Sequence, residues 1–267
     1  MVKELRLNTF ERELGWFKDE KKKKFGELLI ENAPEYFFKI PASTSKKYHP
    51  PFDLIEGGLV NHTKCVMFMA HNLATAIRYD DNDHDLLLIG ALAHDMWKLG
   101  GWEGYPESQH TIWEHPQAAA SYVKAMYNTH EDLLGSRDDM IKVCKAIHSH
   151  MGIFAHDPEY LKEGKQAMPK PETEFEKNLH AADYLASRRE LRDVSFYDIE
   201  QTGVLKKPLN EMTKEDLEQY VIGFGKYKGL QLKEIDDEQY FDWVLEQKDF
   251  KKPEVQEIIK KWREIRI

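Results

Sequence analysis

Leu86-Leu87-Leu88-Ile89-Gly90-Ala91-Leu92-Ala93 is the longest apolar stretch of the chain, and it runs directly into His94-Asp95. Asp83 and Asp85 introduce it, and Gly100-Gly101 are expected to end it. A segment apolar on nearly all sides predicts a central, buried helix. It is far shorter than the ~20 residues that span a bilayer. Its end carries a carboxylate into the interior, which costs several kcal/mol unless the charge is paired or coordinates a metal. The rest of the chain has to fold around that helix and that charge.

Helical periodicity continues on both sides. In LVNHTKCVMFMAHNLATAI, His62, Val66, Met69 and Leu73 recur at intervals of four, three and four, one face of an amphipathic helix. His115-Pro116 opens another helix, with the proline suited to a first turn. Ser136 with Asp139, and Thr173 with Glu176, are capping-box patterns ahead of two more, the first with Asp where Glu or Gln is usual. Between them, residues 152–171 carry three prolines and two glycines and read as a long loop suited to covering a pocket. The lysine run 21–24 reads as a solvated helix face. Periodicity fades after about residue 191 and returns near Thr213, where a short helix, the Gly-punctuated GFGKYKGLQL and two further helical patterns follow. The expected fold is mainly α: a helical bundle with an N-terminal helical extension over residues 1–195, a linker or peripheral segment over 196–210, and a small α+β module over 211–267.

Composition narrows what can hold the buried charge. With only two cysteines, Cys65 and Cys144, the chain cannot supply a zinc ribbon or an iron–sulfur cluster, and it reads as reduced and cytoplasmic. The N-terminus alternates charged and apolar residues and lacks the uncharged core of a signal peptide, so no membrane partner is expected. A net charge of −9 argues against binding nucleic acid over the whole surface. Twelve histidines, by contrast, are many. His62, His94-Asp95, His115, His148, His150 and Asp183 each sit on, or at the end of, a segment of helical pattern. Imidazole and carboxylate suit Mn, Fe, Ni, Zn or Mg rather than a thiolate-seeking metal. His71, His84, His130 and His156 read as core or cap residues.

The order His, His-Asp, His, His, Asp in GGLVNHT, AHDMWKLG, EHPQAAA, SHMG and HAADYLASR resembles the HD superfamily of metal-dependent phosphohydrolases. Over residues 50–190 it looks most like the HD domain of bacterial 3′-to-5′ exoribonucleases and phage-type HD proteins. The resemblance implies an HD-domain helical bundle with two divalent metal ions. His62, His94, Asp95 and Asp183 would hold the first, and Asp95 would bridge to a second held by His115 and His150. The family often shows SHHG where this chain has SHMG, so His148 stays beside His150 as an alternative. Met96-Trp97 replaces the small residue usual before Lys98, which is either a snorkelling helix residue or a cation facing a substrate phosphate. Catalytic roles fall to Asp95 and Lys98, with His110, His148, His180 and Arg188 as candidate substrate contacts.

The C-terminal GKYKG segment, with Tyr240 and Trp243 after it, resembles a small module at the ends of some exonucleases. Lys226 and Lys228 flanking Tyr227 would suit a phosphate backbone and a stacked base. The plainer reading is a hairpin with solvated lysines and Tyr227 packed on Trp243. The expected activity is hydrolysis of phosphate esters in a nucleotide or a single-stranded nucleic acid by a metal-activated water. The competing readings are a degenerate HD-fold binding module and a structural metal protein.

Overall fold

The computed structural model describes residues 2–43, 49–156, 161, 167–188, 212–222, 225–227, 230–247 and 253–266. The molecule is mainly α. Twelve α-helices occur among the described residues: α1 (Val2–Thr9), α2 (Glu11–Leu14), α3 (Glu20–Glu31), α4 (Gly58–Ala76), α5 (Asp81–Ala93), α6 (His115–Thr129), α7 (Glu131–Leu134), α8 (Arg137–Ser149), α9 (Glu174–Ser187), α10 (Lys214–Glu218), α11 (Glu238–Glu246) and α12 (Pro253–Arg266). Among the described residues, no helix is long and apolar enough to cross a membrane.

The apolar run forms α5, as its composition predicts, and Leu86 to Ile89 and Ala91 to Ala93 are completely buried. Around it pack α3, α4, α6, α8 and α9, with α4 and α9 also lying against each other. The N-terminal helices are part of this same core, through Phe10, Leu14, Phe25, Leu29 and Ile30. Asp80 caps α5 by accepting from the Asp83 amide. The charged start of α5 is anchored as well: buried Asp85 accepts from the backbone N–H groups of Lys18 and Asp19 and from His84 Nδ1. His84 Nε2 lies 2.9 Å from His71 Nδ1, and the His71 ring stacks on Trp16. His71 and His84 are therefore structural, as expected.

Three local expectations are corrected. Helix α5 stops at Ala93, so His94 to Leu99 form turns rather than the end of a helix reaching Gly100. In α3 only part of the lysine run is solvated: the Lys22 stem is buried while Lys21 and Lys24 are exposed. The Thr173 hydroxyl does cap α9, but Glu176 bonds the Glu172 amide instead of that of Thr173, so the reciprocal half of the box is missing.

A second hydrophobic cluster gathers Leu217, Ile222, Leu232, Phe241, Val244, Ile259 and Trp262 in the C-terminal residues. The expected β contribution to that module is not found. The described residues there hold no strand, only an isolated antiparallel bridge between Val221 and Gln231 and a 3-10 turn at Gly225–Tyr227. Beside that bridge Ile222 N–H donates to the Leu230 carbonyl and Leu232 N–H to the Tyr220 carbonyl, and the described residues carry the pairing no further. The segment 196–210 and Lys228 lie outside the described residues, as do residues 157–160 and 162–166 of the 152–171 loop.

Candidate metal centre

The site is built where α5 and α8 end, at the first turns of α4 and α6, and midway along α9. Helix α4 contributes His62 and starts on a tight entry: Gly57 has φ 75°, and a Cβ on Gly58 would stand 2.0 Å from the carbonyl oxygen of Asp53. Glycine is needed at both, one for the left-handed turn and one for the close approach. His94 and His150 are the C-caps of α5 and α8, and His115 opens α6.

Six residues converge. His62 Nε2 stands 3.1 Å from Asp183 Oδ1 and 3.3 Å from His94 Nε2, which makes one group. Asp95, His115 and His150 make another, with Asp95 Oδ1 at 3.2 Å from His115 Nε2 and 3.7 Å from His150 Nε2. Asp95 belongs to both: its Oδ2 faces the first group, 3.6 Å from His94 Nε2 and 3.9 Å from His62 Nε2. Asp183 is the most open of the six, with a side chain 21% exposed against 6% or less for the others, so the centre opens on the α9 side.

Ring protonation follows from hydrogen bonds. The Nδ1 atoms of His94, His115 and His150 donate to the carbonyls of Ala91, Ile112 and Ile147 at 2.7, 2.8 and 2.7 Å. A carbonyl only accepts, so in the neutral ring Nε2 presents a lone pair to the centre. Burial lowers the His62 pKa to about 4 and the His150 pKa to about 3, which keeps both rings neutral. Burial alone would raise the Asp95 carboxyl, but Lys98, His94 and His115 outweigh it and hold it well below its ordinary value. Asp183 is depressed in the same way, burial being outweighed by the hydrogen bond from His62 and by His94.

Imidazole nitrogens thus face the Asp95 and Asp183 carboxylates across the centre. Asp95 Oδ1 is buried without a hydrogen-bond partner although His115 Nε2 stands 3.2 Å away. A cation between such atoms satisfies both, and the nitrogen-and-oxygen donor set suits a divalent ion. These residues can hold a metal in two groups, and the donor set fits the group expected.

The remaining candidates separate clearly. His148 is two residues before His150 on α8 and lines a different feature, a groove between α6 and α8 of about 620 Å³, with Lys124, Arg137 and Lys145. His150 therefore belongs to the site and His148 does not. Lys98 neither snorkels nor faces open space: it is buried, and its ammonium donates to Asp95 Oδ2. Met96 and Trp97 turn into the core, where Trp97 packs against Trp102 and Tyr122. His180 sits behind the centre, donating from Nδ1 to the His150 carbonyl, and Arg188 lies over the Tyr184 ring. His110 is exposed on the loop before α6. Far along the chain, Lys226 pairs with Asp237, to which Tyr227 also donates; Tyr227 packs on Tyr240 rather than Trp243.

Sequence reasoning missed one group. His49 and Asp53 cluster with His62, the ligand atoms lying within 4.8 Å of one another. The two are four residues apart, but Pro50 and Pro51 between them break any helical reading of the segment. The one available signal was the Gly57-Gly58 pair, which requires a close neighbour.

No family model, curated protein or solved structure matches the chain.

Proposed function

We propose that this chain is a metal-dependent hydrolase of phosphate esters in a nucleotide or a nucleic acid, of the HD type. The observation that carries the reading is the single Asp95 carboxylate with one oxygen directed at each ligand group. Two divalent ions held there would supply a hydroxide near neutral pH and neutralise phosphoryl oxygens. The first would be held by His62, His94, Asp95 and Asp183, the second by Asp95, His115 and His150.

The protein's own groups have distinct tasks. Asp95 orients the attacking water and is the nearest base for its proton. Lys98, donating to Asp95 Oδ2, offsets the convergence of carboxylates and places a buried cation beside the centre. Asp183 lies at the open edge, so the substrate phosphate approaches past α9. Lys226 is already paired with Asp237, which together with the net charge of −9 favours a small nucleotide over a long polyanion.

A second reading is a catalytically silent binding module. The Lys98–Asp95 pair favours it, because a lysine that stays in place satisfies part of the buried charge with no ion. Elemental analysis of protein purified without added ions separates the two. About two metals per chain, with Mn²⁺-dependent release of phosphate from nucleotides, cyclic nucleotides or short RNA and DNA, supports the hydrolase. Absence of metal uptake after Mn²⁺ addition supports the silent module. Asp95→Ala is expected to reduce hydrolysis to background while the circular dichroism spectrum stays helical; wild-type turnover by that variant would refute the assignment.

A further inference from the structure

Three of the four imidazoles at the centre are oriented identically, by a carbonyl three residues earlier that accepts from Nδ1. His62 breaks the pattern. It is the fifth residue of α4, not a helix end, and the corresponding Leu59 carbonyl already accepts from the Thr63 hydroxyl at 2.9 Å. His62 Nδ1 is buried and has no hydrogen-bond partner among the described residues. Its Nε2 is directed at Asp183 and His94, which leaves Nδ1 for the opposite side.

On that side stand His49 and Asp53. Asp53 is fully buried in the 3-10 turn Pro51–Asp53, beneath the first turn of α4. Its Oδ1 accepts from Asn61 Nδ2 at 2.6 Å, and its Oδ2 is 3.7 Å from His49 Nδ1. The His49 ring meets the His62 ring edge-on at 4.8 Å, and Asn61 Oδ1 and His49 Nδ1 are also buried without partners among the described residues. Unsatisfied donors and acceptors concentrated around one carboxylate mark a built polar cluster rather than a chance gap.

We propose that, with a metal ion on Nε2 in place of the hydrogen bond to Asp183, Asp53 is the positioning carboxylate of His62, accepting the Nδ1–H hydrogen bond through one bridging water, with His49 closing the cluster on its outer side. Metal-bound histidines are commonly fixed by such an outer acceptor, and losing it weakens metal binding about 10–100-fold. Asp53 thereby does for His62 what three backbone carbonyls do for the other rings. The inference rests on the metal-centre reading above and deepens it.

The test uses the full chain, stripped of metal and titrated with Zn²⁺ or Mn²⁺ by calorimetry. Asp53→Asn is expected to weaken one of the two binding events about 10–100-fold and to leave the other unchanged. In a His62→Ala background, Asp53→Asn should have no further effect on metal affinity. An equal loss in both backgrounds would mean that Asp53 merely supports the fold, and overturns the assignment. Nitrogen NMR of the Zn²⁺-loaded wild type gives a reading that needs no variant. Exchange-protected Nδ1–H signals from His62, His94, His115 and His150 support the proposal, whereas protection of only the last three sinks it. If the wild type binds no metal, this inference falls together with the hydrolase reading. If it binds two ions and Asp53→Asn does so equally well, only the Asp53 assignment falls.

Discussion

Gly152 shows how much one missing methyl can carry. It adopts φ 57°, and a Cβ there would stand 2.2 Å from the His180 ring, whose Nδ1 holds the His150 carbonyl. Gly152→Ala is expected to cost about 1–3 kcal/mol in urea unfolding, because the left-handed strain and the clash both act on it, and to weaken metal binding by displacing His150. A second residue-scale prediction concerns Asp85. Asp85→Ala removes the buried acceptor of two backbone N–H groups and of His84, so a loss of about 1–3 kcal/mol is expected by the same measurement. The six ligand-type residues were legible at this scale because each lies in a recognisable local motif. Asp53 and His49 were not, because their importance arises only where a 3-10 turn tucks under a helix distant in hydrogen-bonding pattern though near in sequence.

Among the elements, α8 offers the cleanest test of its own boundaries. Ser136 and Asp139 form the full reciprocal cap, and Asn82 also donates to Asp139, tying the starts of α5 and α8 together. Ser136→Ala should cost about 1 kcal/mol. Burial alone would raise the Asp139 carboxyl, but the hydrogen bonds from Ser136 and Asn82 win and hold it below its ordinary 3.8. A depressed folded pKa means stabilisation present above the unfolded value and lost as the pH falls through the folded one. The gap in unfolding free energy between wild type and Ser136→Ala should therefore be larger at pH 6 than at pH 3, and a gap that grows on acidification would contradict the capping account. The helices themselves were legible from the 3.6-residue period, and so were most starts, which caps mark chemically. The end of α5 was not: no residue type signals it, and the structure stops it at Ala93, where His94 captures the Ala91 carbonyl. Both α5 and α8 bring their C-terminal carbonyls, with partial negative charge, to the centre, which favours cations there.

At the scale of the whole molecule, the two hydrophobic clusters lead to separate expectations. All candidate ligands lie on elements of the first, so a bound ion should stabilise that part, by about 2.7 kcal/mol at a hundredfold excess over the dissociation constant. Scanning calorimetry with Mn²⁺ and then with chelator should move the transition of the first cluster and leave that of the second in place. A single transition shifting as a unit would show instead that the clusters melt together. The mainly α class could be read from patterning alone, whereas the convergence of five separated segments on one carboxylate is a property of packing that periodicity does not encode. That convergence also has a thermodynamic consequence. Because Asp95 presents one oxygen to each ligand group, filling one group fixes the carboxylate for the other. The two binding events would then share a coupling free energy, set by that ordering against the mutual repulsion of two cations, and by reciprocity each would change the affinity of the other by the same factor.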